Sequence, residues 1–197
     1  LSIQRPRDVL FTLPYAGIDR RLVSSVQGAD YPQTLTVEVL VGAHQPPRTR
    51  SGAYRIMVED THCAFQLVFF HARQDYLQKQ LPSGARRLVS GKVELFDGLP
   101  QMVHPDHILL PHQAEELAHY EPVYPLTAGV TQKTMTKATR AALELAPQLP
   151  EWIDPAQKAK QAWPDWHLAV AAAHQPQTAS DLRPEHPARQ RLAYDEL

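Results

Sequence analysis

A short polar stretch, Arg73 to Gln80, constrains this chain more than any other feature, because it sets a helical pattern inside a run of strand patterns. Tyr76, Leu77 and Leu81 fall at helical spacing there, and Pro82-Ser83-Gly84 ends the pattern. Upstream, Leu35, Val37, Val39 and Val41 alternate with Thr36, Glu38 and Leu40, the period-2 mark of a half-buried strand. A polar loop, 44–52, leads to a second alternation of Tyr54, Ile56 and Val58 with Arg55, Met57 and Glu59. Glu59 to His62 reads as a tight turn. Cys63 to Phe70 is then a third strand, nearly all apolar and expected to be covered on both faces. Downstream, Arg86 to Phe96 reads as a fourth strand, Asp97-Gly98 as a hairpin turn, and Pro100 to His104 as a fifth strand stopped by Pro105.

Three strands, a short helix and two strands is the order of the OB-fold, a five-stranded Greek-key barrel. Gly91 inside the long fourth strand suits the bend such a barrel needs. After His107 the pattern turns helical. Thr131 is placed to cap a helix with Met135, Ala138, Ala142 and Leu145 on its apolar side. Asp154-Pro155 opens a helix to about Trp163, and Asp165 to Ala173 forms another. Pro184 to Leu197 gives a last one, with Ala188, Leu192 and Ala193 on one side. The chain has 18 Pro against 8 Gly, many of the prolines after Pro100, so the elements there are expected to be short. The predicted fold class is mixed β and α: an OB-fold barrel followed by a small helical segment. The division is 1–34 as a leading segment with a short helix, 35–107 as the OB domain, and 108–197 as an extended link with helices.

Composition narrows the function. A hydrophobic share of 43% supports a buried core, and no apolar run reaches the length of a membrane span. A net charge of −1 makes no overall case for nucleic acid, although the positive excess precedes residue 106 and the acidic excess follows it. A single cysteine, Cys63, forbids an internal disulfide and fits a reducing cytosol. At the head of an apolar strand it reads as a buried, inert thiol. The first residues lack a start Met and an apolar signal core, as expected of a piece of a longer protein. The last helical pattern reaches Leu197 without a cap and is expected to continue.

No catalytic residue is expected. A phosphate-binding loop needs glycine, four residues, then Gly-Lys-Ser/Thr, so that backbone N–H groups and the lysine wrap the phosphates. Here Gly91-Lys92 is followed by Val93, and Gly84 stands two residues too far upstream. His104, His107 and His112 cluster in a proline-rich exit but lack the cysteine or carboxylate spacing of a metal site, so no metal is expected. Phe65, Leu67 and Phe69 share one strand face and read as core. Phe70 ends that strand, and Tyr76 stands near Arg73 and Lys79; these two rings are either core or base-stacking platforms. Arg48 and Arg50 lie in the loop joining the first two strands, a loop that often helps OB-folds hold nucleic acid.

Several segments, in order along the chain, resemble the wedge of the bacterial DNA helicase family RecG. They are Arg7 to Pro14 with Asp19-Arg20; Phe69-Phe70 ahead of Tyr76-Leu77; Gly91-Lys92-Val93; Gln101 to Pro105; Pro122 to Thr127 followed by Gly129 to Gln132; His174-Gln175-Pro176; and Arg191 to Leu197. The resemblance implies a wedge that grips branched DNA, at replication forks and Holliday junctions, within a monomeric, cytoplasmic, ATP-dependent helicase of repair and recombination. ATP and magnesium would belong to motor domains further along, not to this chain. By similarity Phe70 and Tyr76 stack on bases where strands part; Arg73, Lys79, Arg48 and Arg50 are expected to join them in DNA binding from their places near the rings and in the loop. The competing expectations are an OB-type module that docks a protein without touching DNA, and a small metal hydrolase built on the histidine cluster.

Overall fold

The protein is described from a computed structural model that covers residues 5–49 and 52–196. Arg50 therefore lies outside the described residues. The strands are β1 (Ala16–Asp19), β2 (Leu22–Val23), β3 (Gln33–Gln45), β4 (Tyr54–Glu59), β5 (Ala64–Phe69), β6 (Arg86–Phe96), β7 (Leu99–Val103), β8 (His107–Leu109) and β9 (Tyr120–Val123). The α-helices are α1 (Pro6–Leu10), α2 (Gln74–Gln80), α3 (Gln132–Glu144), α4 (Pro155–Gln161), α5 (Trp166–His174) and α6 (Pro187–Asp195). The chain divides into two compact units: Asp19–His119, and the residues up to Ile18 together with those from Tyr120 onward.

In the first unit the strand patterns hold. β6 spans the expected residues, and the short helix α2 falls between β5 and β6. Neighbouring pairs run β3–β4, β4–β5, β5–β7 and β7–β6, and β6 pairs again with β3, so the hydrogen-bonded circuit returns to its first strand. Two long strands make this possible by changing partner along their length. The first part of β3, from Gln33 to Leu40, lies against β6, and its end, from Leu40 to Gln45, lies against β4. The register slips between Val41 and His44, a bulge that bends the strand where it changes partner. β6 likewise leaves β3 at Val93 and pairs with β7 to its end at Phe96. Asp97 and Gly98 both take positive φ, 50° and 77°, as a two-residue hairpin turn between β6 and β7 requires.

The inward alternation of β3, β4 and β5 forms the core. Val37, Val39, Val41, Ile56, Val58, Phe65, Leu67 and Phe69 are buried together with Leu77 and Leu81 of the helical stretch. Phe65 and Phe69 are thus core, as their shared face implies. Arg20 is buried as well, donating to Ser90 Oγ at 2.9 Å and paired with Asp106 at 3.0 Å. Asp60 gathers the turn before β5 by accepting from the backbone N–H groups of Val26, His62 and Cys63 at 2.8–2.9 Å and from the Ser25 hydroxyl at 2.9 Å. Burial alone would raise its carboxyl, yet these donors hold it below its ordinary value of 3.8. Cys63 is half-buried rather than buried, and burial pushes its thiol up, away from reactivity.

The second unit is built on helices. Thr131 caps α3, its Oγ1 accepting from Thr134 N–H at 3.2 Å, and Asp154 caps α4 through Gln157 N–H at 3.0 Å. The buried side of α3 differs from the expected one: it is Met135, Thr139 and Ala142, whereas Ala138 is exposed and Leu145 is 77% exposed. The helix turns a threonine inward because a four-then-three spacing keeps 135, 139 and 142 on one line, and Leu145 already belongs to the cap. On α6, Arg191 is buried beside Leu192, and Ala193 faces out. That arginine pairs with Glu151 at 3.0 Å and with Asp195, and lies over the Trp152 ring at 4.8 Å. Tyr124 and His174 stack in the core formed by α1, α3, α5 and α6, with the Tyr124 Oη 3.1 Å from the imidazole.

Candidate nucleic-acid interface

The residues that join β5 to α2 and the end of β7 enclose a groove of about 500 Å3 on the first unit. Its lining includes Phe69, Phe70, Arg73, Tyr76, His104 and Pro105. Alternation along β5 sends Phe65, Leu67 and Phe69 inward, so Phe70, the next residue, emerges at the rim and is 44% exposed. On α2, Leu77 and Leu81 anchor the helix in the core, which turns Tyr76 out; it is 59% exposed. The helical spacing that groups Tyr76 with Leu77 and Leu81 is real, but Tyr76 takes the other face. Arg73, the cap of α2, is exposed beside them.

The groove therefore brings together Phe70, Arg73 and Tyr76. It does not include Lys79, exposed further along α2, or Arg48, exposed in the loop after β3. His104, weighed from sequence only as a metal ligand, is instead part of the groove wall. Its N–H donates to Val68 O at 2.9 Å, and its ring nitrogen Nε2 lies 3.2 Å from Phe70 N–H. No sequence signal marked this role: a residue before proline favours extended backbone, whereas His104 takes a positive φ of 47°. His107 sits on β8 and His112 in a 3-10 turn over Pro111–Glu116. Among the described residues no three His, Cys, Asp or Glu side chains group as metal ligands.

Electrostatics separate this groove from a second depression on the same unit. There Glu38, Glu59 and Asp60 face Arg86, which is already paired with Glu38 at 3.0 Å. Three carboxylates against one engaged guanidinium repel phosphate. The first groove offers exposed rings, an arginine and Asp75. Exposed aromatic faces beside a cation are what unpaired bases stack on.

The first unit is thus a closed strand circuit that carries a groove with two exposed rings, one arginine and one aspartate. The chain belongs to the RecG wedge domain family, whose model matches residues 1–145. ATP-dependent DNA helicases RecG from Acidithiobacillus ferridurans and from Bacillus subtilis are each 30% identical to it, over 202 and 205 residues. Both alignments take in 100% of this chain and 28% of the relative, so the chain spans just over a quarter of their length. A solved structure of RecG bound to a three-way DNA junction superposes with a TM-score of 0.76 at 23% identity, covering 98% of this chain and 26% of that one. That likeness shows a shared mixed α/β fold. Among the described residues, no helix is long and apolar enough to cross a membrane.

Proposed function

We propose that this chain is the junction-gripping wedge of an ATP-dependent DNA helicase, and that its groove holds the bases exposed where two strands part. The observation that carries the reading is the pair of exposed rings, Phe70 at 44% and Tyr76 at 59%, on one groove beside Arg73. A base leaving a duplex loses a stacking neighbour, and a ring fixed at that place replaces it. In this reading the closed strand circuit is an OB-type barrel over 35–107, with 1–34 leading in and 108–197 leading toward the motor. The wedge acts as a monomer in the bacterial cytoplasm on forks and Holliday junctions. ATP and magnesium serve the motor, and the chain itself hydrolyses nothing. Arg73, Lys79 and Arg48 contribute phosphate contacts around the groove, and Arg50 is proposed with them from its loop position.

Fork and plain-duplex binding by Phe70→Ala and Tyr76→Ala, alongside thermal melts, tests this. Base–aromatic stacking is worth roughly 1–3 kcal/mol per base, so each variant should stay folded and lose about tenfold in fork preference. Removing a core ring instead would reduce folding stability by roughly 3–5 kcal/mol. Arg73→Ala should weaken both DNAs and reduce the slope of log K against log salt by about 1. Unchanged fork preference in both ring variants overturns the reading. The exposed tip of the β6–β7 hairpin, with Leu95, Phe96 and Leu99 each more than half exposed, would then favour a protein-docking module.

A further inference from the structure

His104 is built into the groove in a way that stacking by Phe70 and Tyr76 leaves unexplained. β5 and β7 run parallel, and their register ends at Val68 opposite Val103. One residue on, the backbone of His104 turns to a φ of 47°, a left-handed conformation that side-chain-bearing residues seldom adopt. The turn carries its ring across the end of β5, where Nε2 accepts the Phe70 N–H at 3.2 Å. The ladder has run out there, so a side chain takes the place of a strand partner. Accepting at Nε2 puts the imidazole proton on Nδ1. The same ring stands edge-on to the buried Phe69, with centroids 6.0 Å apart at 88°, and tilted against Phe70, 5.9 Å away at 41°. His71, which follows Phe70, is also left-handed, with φ of 55°. Phe70 is thus held between two unusual backbone turns, one of which supplies its hydrogen-bond acceptor.

We propose that His104 is a positioning residue for the aromatic groove: its Nε2 holds the Phe70 backbone and its ring braces the Phe70 ring, so that Phe70 faces an incoming base before DNA arrives. This rests on the fork-binding reading above. A ring already held in its bound orientation loses less freedom on binding, so the brace raises affinity without touching DNA. One neutral hydrogen bond and one ring contact set the scale, a roughly three- to tenfold change in fork affinity.

The test compares the parent chain with His104→Gly, His104→Gln, Phe70→Ala and the Phe70→Ala/His104→Gly double variant, on fork and plain duplex at one salt concentration. Glycine accepts the left-handed backbone while removing acceptor and ring. Glutamine restores an acceptor at similar reach. H104G should lose about three- to tenfold in fork affinity with duplex affinity unchanged, and H104Q should recover the hydrogen-bond share of that loss. The double variant should be no worse than F70A alone, because His104 acts through Phe70. Losses that multiply in the double variant, or an H104G that binds forks as the parent does, overturn the proposal. If H104G does not fold, H104Q against H104L carries the comparison, one side chain with an acceptor and one without; equal fork affinity overturns the proposal. Hydrogen exchange at the Phe70 amide without DNA reads the brace separately. Faster exchange in H104G but not H104Q, with F70A and Y76A binding forks normally, would sink the stacking reading while leaving the brace standing. Unchanged exchange in H104G removes the brace itself.

Discussion

Gly91→Ala tests how the strand circuit and the groove are joined. Gly91 is buried in β6 opposite Leu35 of β3. A Cβ built there would meet Met102 Sδ at 3.0 Å, Met102 Cγ at 3.1 Å and Pro105 Cα at 3.1 Å. Carbon contacts are most favourable at about 3.5–4.0 Å, so all three are too close by roughly half an ångström. Met102 is flexible but 0% exposed, so moving it presses on other core side chains, and Pro105 Cα is backbone. Overpacking of this kind costs about 1–3 kcal/mol. Removing a glycine restricts the unfolded chain and returns about 0.4–1 kcal/mol. The net expectation is a destabilisation of about 1–2 kcal/mol. Urea titration followed by circular dichroism reads it as a lower midpoint with an unchanged slope. Pro105 follows His104, so the displaced backbone should also disturb the groove, and fork preference should fall with stability. Met102→Ala in the same chain should relieve part of the clash, making the alanine at 91 less damaging than in the parent background. A G91A chain as stable as the parent, or more so, would refute the claim that the tight bend of β6 requires a residue without a side chain.

Two further outcomes follow from buried titrating groups. Burial holds His174 below its ordinary value of 6.5; its Nε2 donates to Leu10 O at 2.9 Å and its Nδ1 accepts from Tyr124, whose phenol burial pushes up to about 12. The unfolded chain therefore binds a proton first, so the contribution of His174 is steady well above 6.5 and declines as pH falls below 6.5 toward the lowered folded value. Melting temperatures that do not fall between about pH 7.5 and about pH 5, or that fall equally in His174→Gln, would refute this. Asp60 is the opposite case: its lowered folded value gives stability that is present above 3.8 and lost as pH falls below it. Asp60→Asn should lower stability by about 1.5–3 kcal/mol near neutrality, since it replaces charged hydrogen bonds to three backbone donors, and the gap to the parent should narrow in acid. An equal gap at both pH values in paired melts would count against it.

The sequence by itself determined the longer elements and much of their polarity. Period-2 alternation put Val37, Val39, Ile56, Val58, Phe65 and Leu67 on inward faces, and the structure buries all six. Asp97-Gly98, Thr131 and Asp154-Pro155 marked a turn and two caps because each acts within a few residues, where local stereochemistry decides. Other features needed the tertiary structure. Alternation names the face of a strand and not its partner, so the pairing of β1 with β9, about a hundred residues away, was not legible. The same holds for the two- and three-residue strands β2 and β8, which are too short to carry a period. A helical spacing groups Tyr76 with Leu77, and only the packing of Leu77 and Leu81 into the core turns Tyr76 outward. His104 shows the limit most clearly. Nothing local distinguishes a metal ligand from a strand-end acceptor; the difference lies in where Phe70, 34 residues earlier, places its N–H. Contacts between residues far apart in the chain form only when the core closes, so the strand pattern could be read along the sequence, whereas the groove exists only where β5, α2 and β7 meet.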